Sequence, residues 1–192
     1  MKYLQDIIKA KGKVLENDIL KVDSFLNHQI DTKIMDEIGK EFSNIFSDIK
    51  PNKILTVETS GVAIAQATAM HMGYLPVVFA KKQNHLNMDD NCFSCKERSY
   101  TEASERVVKV AKEYINENDE ILIIDDFLAN GEALNSLLNI CAQANAKVLG
   151  IGVVVAKMYQ LGYERILKIH PNLHILAKIK SLSEDGQIEF ED

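Results

Sequence analysis

An α/β architecture, with an open and mainly parallel central sheet flanked by helices, follows from three features of the 192-residue sequence. Short apolar runs alternate with amphipathic ones along most of the chain. The runs at 53–57, 121–124 and 148–156 are largely apolar at successive positions, Lys53 and Thr56 aside, which reads as strands buried on both faces. Two adjacent carboxylates, Asp125 and Asp126, follow the second run directly, where the end of a strand delivers them to the edge of a sheet.

The elements follow in order. Residues 3–11 read as a short helix with Leu4, Ile7 and Ile8 on one side, stopped by Gly12. Residues 14–30 show no clear period and receive no assignment. Asp31 is a good N-cap for a helix carrying Ile34, Ile38, Phe42 and Ile45, and Pro51 ends that unit. The strand at 53–57 leads through Glu58-Thr59-Ser60-Gly61 into a small-residue helix over 62–72, closed by Gly73. Pro76 precedes a strand over 77–80. Over 81–104 the pattern disappears, and a polar connection of that length reads as a functional lid or a disordered segment. Residues 105–115 fit a helix through Val107, Val110, Ala111 and Tyr114, and a strand through their valine content. After the strand at 121–124 comes a helix with Leu134, Leu137, Leu138 and Cys141, then a left-handed turn at Asn145. A long buried strand over 148–156, a short helix over 163–168 and a strand over 174–179 finish the core.

Composition narrows the function classes. With 46% hydrophobic and 26% charged residues, the chain is neither disordered nor of low complexity. Lys and Arg number 22 against 28 Asp and Glu, a net charge of −6, which argues against a general binder of nucleic acid or anionic membranes. Charges interrupt the N-terminus, and no apolar run is long enough to span a bilayer, so a cytoplasmic location is expected. No repeat or linker divides the chain, and a single domain over 1–192 is expected. The three cysteines cannot all pair within the chain. Cys92 and Cys95 form a CxxC with only His85 nearby. Zinc or redox chemistry there is set against two free thiols in a loop, the favoured reading.

In a sheet of this kind ligands sit beyond the carboxyl ends of the strands, here the loops after residues 57, 80, 124 and 156. Behind Asp125 and Asp126, Gly131 opens a helix. The unpaired N–H groups of that helix start favour a phosphate, and glycine lets it come close to the backbone. The carboxylates would accept hydrogen bonds from sugar hydroxyls beside the phosphate, or help to hold a metal ion.

Residues 121–133 resemble the phosphoribosyl-pyrophosphate (PRPP) motif of the type I phosphoribosyltransferases: apolar strand, two acids, short turn, glycine, helix. Residues 20–31, 76–82, 123–131 and 150–154 resemble the xanthine-using bacterial members of that family, so the likeness covers nearly the whole chain. It implies a type I phosphoribosyltransferase fold in which residues 1–30 contribute a purine-covering hood. It implies transfer of the phosphoribosyl group from PRPP to N9 of xanthine, with magnesium, in a homodimer. A sister enzyme acting on hypoxanthine or guanine, and a non-catalytic PRPP-sensing regulator, are the alternatives.

The resemblance also assigns roles. Asp125 and Asp126 take the ribose hydroxyls and touch magnesium at most indirectly. Ala129, Asn130, Gly131, Glu132 and Ala133 hold the 5′-phosphate through backbone N–H groups. Thr59 and Ser60 belong to a pyrophosphate loop, with Lys81 and Lys82 at the next strand's end. Leu20, Asn27 and Lys157 contact xanthine, and Ser99-Tyr100 belongs to the lid. Asn130 and Ala133 depart from the family's usual hydroxyl residues, which removes side-chain contacts and leaves the backbone cradle. Ala129 stands where hypoxanthine-guanine enzymes have an Asp, so this turn supplies no purine base.

Overall fold

The computed structural model describes residues 1–16, 18–83, 91–98, 105–183 and 185–191. Helix α1 (Lys2–Lys11) buries Leu4 and Ile8 and ends where the Gly12 N–H donates to the Ile8 carbonyl at 2.8 Å. The unassigned stretch after it is a tight antiparallel hairpin, β1 (Lys13–Leu15) and β2 (Ile19–Lys21), with Val14 opposite Leu20. One π-helical turn, Asp23–Asn27, follows and buries Phe25 and Leu26. Strands of three residues are too short to display a period, which is why the sequence hides them. Helix α2 (Thr32–Ile45) starts as expected, with the Asp31 carboxylate accepting from the Ile34 N–H at 3.3 Å.

Eight strands form the main sheet, in the order β10-β9-β8-β7-β3-β4-β6-β5. They are β3 (Lys53–Val57), β4 (Val77–Gln83), β5 (Cys92–Arg98), β6 (Glu105–Ala111), β7 (Glu120–Leu128), β8 (Lys147–Lys157), β9 (Leu173–Leu182) and β10 (Ile188–Phe190). The five strands from β9 to β4 pair in parallel, while β10, β6 and β5 pair antiparallel at the margins. Helices cover both faces. One core gathers Ile8, Ile38, Phe42 and Ile64 from α1, α2 and α3 (Gly61–His71). The other gathers Leu137, Ile140 and Ile166 from α4 (Glu132–Gln143) and α5 (Gly162–Ile169). No helix among the described residues is long and apolar enough to cross a membrane.

Two expectations are corrected. Residues 81–104 are not a pattern-free connection: β4 runs on to Gln83, and β5 occupies 92–98, paired with β6. Residues 84–90 and 99–104, the latter including Ser99 and Tyr100, lie outside the described residues. Of the two readings left open for 105–115, the strand is the one formed, over 105–111, with Val107, Val108 and Val110 buried between β4 and β5. Cys92 and Cys95 therefore sit in a strand and not in a loop. Three positions apart, they face opposite sides of the sheet and cannot grip one ion together. The edge of β5 is closed from the helix layer: the Gln143 amide donates to the Ser94 carbonyl at 2.8 Å and accepts from its N–H at 3.3 Å.

Candidate active site

The site lies beyond the carboxyl ends of β3, β4, β7 and β8, where the strand order reverses around β3 and β7. Strand β7 does not stop before the acids; it carries them in register with β8, Asp125 beside Val153, and continues to Leu128. Each acid is bound by the peptide that follows it. The Asp126 N–H donates to Asp125 Oδ1 at 3.0 Å, and the Phe127 N–H donates to Asp126 Oδ1 at 2.9 Å. Asp125 is buried and Asp126 half-buried. Burial pushes the Asp125 carboxyl well above the usual carboxylate range, the Asp126 charge adds to that, and the Lys82 charge opposes it.

Gly61 brings the start of α3 against these groups. A Cβ there would stand 2.1 Å from Thr56 Oγ1 and 3.2 Å from Asp125 Oδ1, so only glycine fits. The loop before it contains a cis peptide between Glu58 and Thr59. The Glu58 N–H donates to the Ala80 carbonyl at 3.0 Å, and its carboxylate accepts from the Lys82 N–H at 2.7 Å. Thr59 is exposed and Ser60 half-buried, at the opening of α3. Of the two lysines after Ala80, Lys82 is half-buried and its charge acts on Asp125. Lys81 is exposed and pairs across the strands with Lys109. The two-residue period of a strand was the signal that separates them.

The turn after β7 is short. Ala129 and Asn130 lead to Gly131, which adopts φ 83° in the left-handed region and opens α4 with no side chain capping it. The N–H groups of Glu132 and Ala133, in the first turn of α4, have no partner within the helix. Helix α5 supports this turn from behind. The Gly162 N–H donates to the Ala129 carbonyl at 3.1 Å, and Ile166 packs within 3.2 Å of the Gly131 Cβ position.

Lys157 ends β8, half-buried, and its ammonium donates to the Asp18 carbonyl in the turn between β1 and β2. Burial lowers its pKa. The hairpin thus lies over the carboxyl end of β8. Leu20 is buried in the core beneath it, and Asn27 is exposed on the π-helical turn. Among the described residues no three His, Cys, Asp or Glu side chains gather as a metal site.

A strand-borne acid pair and two helices opened by glycine meet at one sheet edge, the arrangement of a phosphoribosyltransferase-type domain. The chain belongs to the phosphoribosyl transferase domain family, which matches residues 23–170. Over its whole length it is similar to xanthine phosphoribosyltransferases. It is 48% identical to that of Pediococcus pentosaceus, with 100% of both chains covered. It is 47% identical to that of Clostridium tetani, with 99% of this chain and 100% of the relative covered. Among solved structures, the fold matches adenine phosphoribosyltransferase from Giardia lamblia complexed with 9-deazaadenine (TM-score 0.77, 19% identity, 93% of this chain and 98% of the other). It also matches the enzyme from Trypanosoma brucei (TM-score 0.72, 16% identity, 95% and 83% covered).

Proposed function

We propose that the chain transfers the 5-phosphoribosyl group of PRPP to N9 of xanthine, giving xanthosine 5′-monophosphate and pyrophosphate. The observation that carries this reading is the placement of Asp125 and Asp126 one short turn before the cradle at 129–133, in a chain alike from end to end to xanthine phosphoribosyltransferases. The cradle takes the 5′-phosphate. Asp126, the more accessible acid, accepts from a ribose hydroxyl, and Asp125 does so when its carboxyl is ionised. The loop at 58–61 and the start of α3 face the pyrophosphate, with Lys82 and Lys81 nearby.

Catalysis on this plan is positioning and charge stabilisation. As pyrophosphate leaves C1, positive charge develops on the ribose, and an ionised carboxylate beside it would stabilise that charge. N9 of xanthine then bonds to C1 as the C1–O bond to pyrophosphate breaks, and the imidazole-ring proton of xanthine passes to the departing pyrophosphate or to water. Lys157 donates to a xanthine carbonyl, and the segment 1–30, with Leu20 and Asn27, covers the base. Asp125 and Asp126 would touch magnesium at most indirectly, with PRPP supplying most of its oxygen ligands. When bound, magnesium would neutralise charge on the leaving group. A homodimer and a cytoplasmic location belong to the same reading.

The test is turnover with PRPP, magnesium and each of xanthine, guanine, hypoxanthine and adenine. Xanthine is expected to be preferred. Preference for hypoxanthine or guanine moves the assignment to the sister enzyme, and PRPP binding without pyrophosphate release moves it to a regulator. Asp126→Asn is expected to cripple PRPP use; unchanged kinetics would refute the ribose contact.

A further inference from the structure

Glu132 is an acid placed inside an anion site. It is the first residue of α4, one position after Gly131, among the N–H groups assigned above to the 5′-phosphate; the inference rests on that assignment. A carboxylate at a helix start is itself attracted to those N–H groups, so it competes with phosphate for them and repels it. Its side chain is not loose. Glu132 Oε1 accepts from Arg165 Nη1 at 2.6 Å. Arg165 comes from α5, the helix that backs the same turn through Gly162 and Ile166.

We propose that Arg165 is a positioning residue: it holds the Glu132 carboxylate against α5 and neutralises it, leaving the cradle N–H groups to the phosphate of the sugar. The pair is partly exposed, with side chains 44% and 28% accessible, so its contribution to stability is small and its effect falls on binding. The physical requirement is specific to an acid at this position. Removing the acid removes the need for the arginine.

The experiment measures affinity for ribose 5-phosphate by calorimetry, and KM and kcat for PRPP and xanthine, in wild type, R165A, R165K and R165A/E132Q. R165A is expected to weaken ribose 5-phosphate binding and raise the PRPP KM several-fold, with the xanthine KM little changed. R165K, which keeps the charge, is expected to lose less. R165A/E132Q is expected to recover most of what R165A loses, which a merely structural arginine would not allow. Wild-type behaviour in R165A overturns the proposal. So does a double variant as weak as R165A, because Arg165 would then act on the phosphate itself. Thermal denaturation identifies any variant that fails to fold, and R165K then carries the comparison. Failure of the wild type to use PRPP would instead refute the functional reading.

Discussion

The ammonium of Lys157, the last residue of β8, donates to the main-chain carbonyl of Asp18 in the N-terminal hairpin turn, 139 positions earlier in the chain. The same group is assigned to a xanthine carbonyl, so base and hairpin draw on one donor. An ammonium has three N–H bonds, and both partners are satisfied together when the base lies under the hairpin. Lys157→Ala is expected to raise the xanthine KM far more than the PRPP KM, in steady-state assays varying each substrate. Equal effects on both would count against the assignment.

Gly162 is a second point at which the site depends on a distant element. A Cβ there would stand 2.1 Å from the Ala129 carbonyl oxygen, and 2.8 Å from Asn130 C and Gly131 N. These are backbone atoms and cannot swing aside, so the phosphate turn itself must move. Gly162→Ala is expected to cost about 1–3 kcal/mol in denaturant unfolding. It should also weaken PRPP use more than the stability loss explains.

Asp125 links activity to stability. Its carboxyl binds a proton more tightly in the folded chain than its ordinary value of 3.8 predicts, because burial disfavours the charge. The sign follows: this contribution to stability is fully present below the ordinary value and is lost as pH rises through the folded titration. Once ionised, the group is a burden on the fold. Asp125→Asn keeps an oxygen to accept the Asp126 N–H and removes the charge. The variant is expected to gain on wild type in melting temperature as pH rises, with the gap narrowing as pH falls, while PRPP turnover falls. A gap that shrinks as pH rises would contradict this.

The cysteines separate by environment. Cys141 is buried in α4, and burial pushes its thiol up to about 12. Cys92 and Cys95 are half-buried on β5. Alkylation of the native protein in mildly alkaline buffer, mapped by mass spectrometry, should modify Cys92 and Cys95 and spare Cys141. Denaturant should expose all three. Cys141 reacting at the same rate as the others would show that α4 does not pack as described.

By itself the sequence determined the parallel centre of the sheet and the heart of the site. Runs such as Ile121 to Ile124 are long enough and apolar enough to be strands buried on both faces, and the acids, turn and Gly131 follow within a few residues of continuous chain. Local spacing carries that information without any tertiary contact. Tertiary structure alone decided the rest. The hairpin at 13–21 and strand β5 are stabilised by partners, and their own patterns are too short or too polar to announce them. Which of Lys81 and Lys82 acts on Asp125 depends on the pairing of β4. The contacts of Lys157 with Asp18 and of Arg165 with Glu132 join segments whose meeting depends on where each crossover helix returns the chain. Chain reversals over such distances are set by how helices pack on the sheet, and that packing is a property of the whole fold.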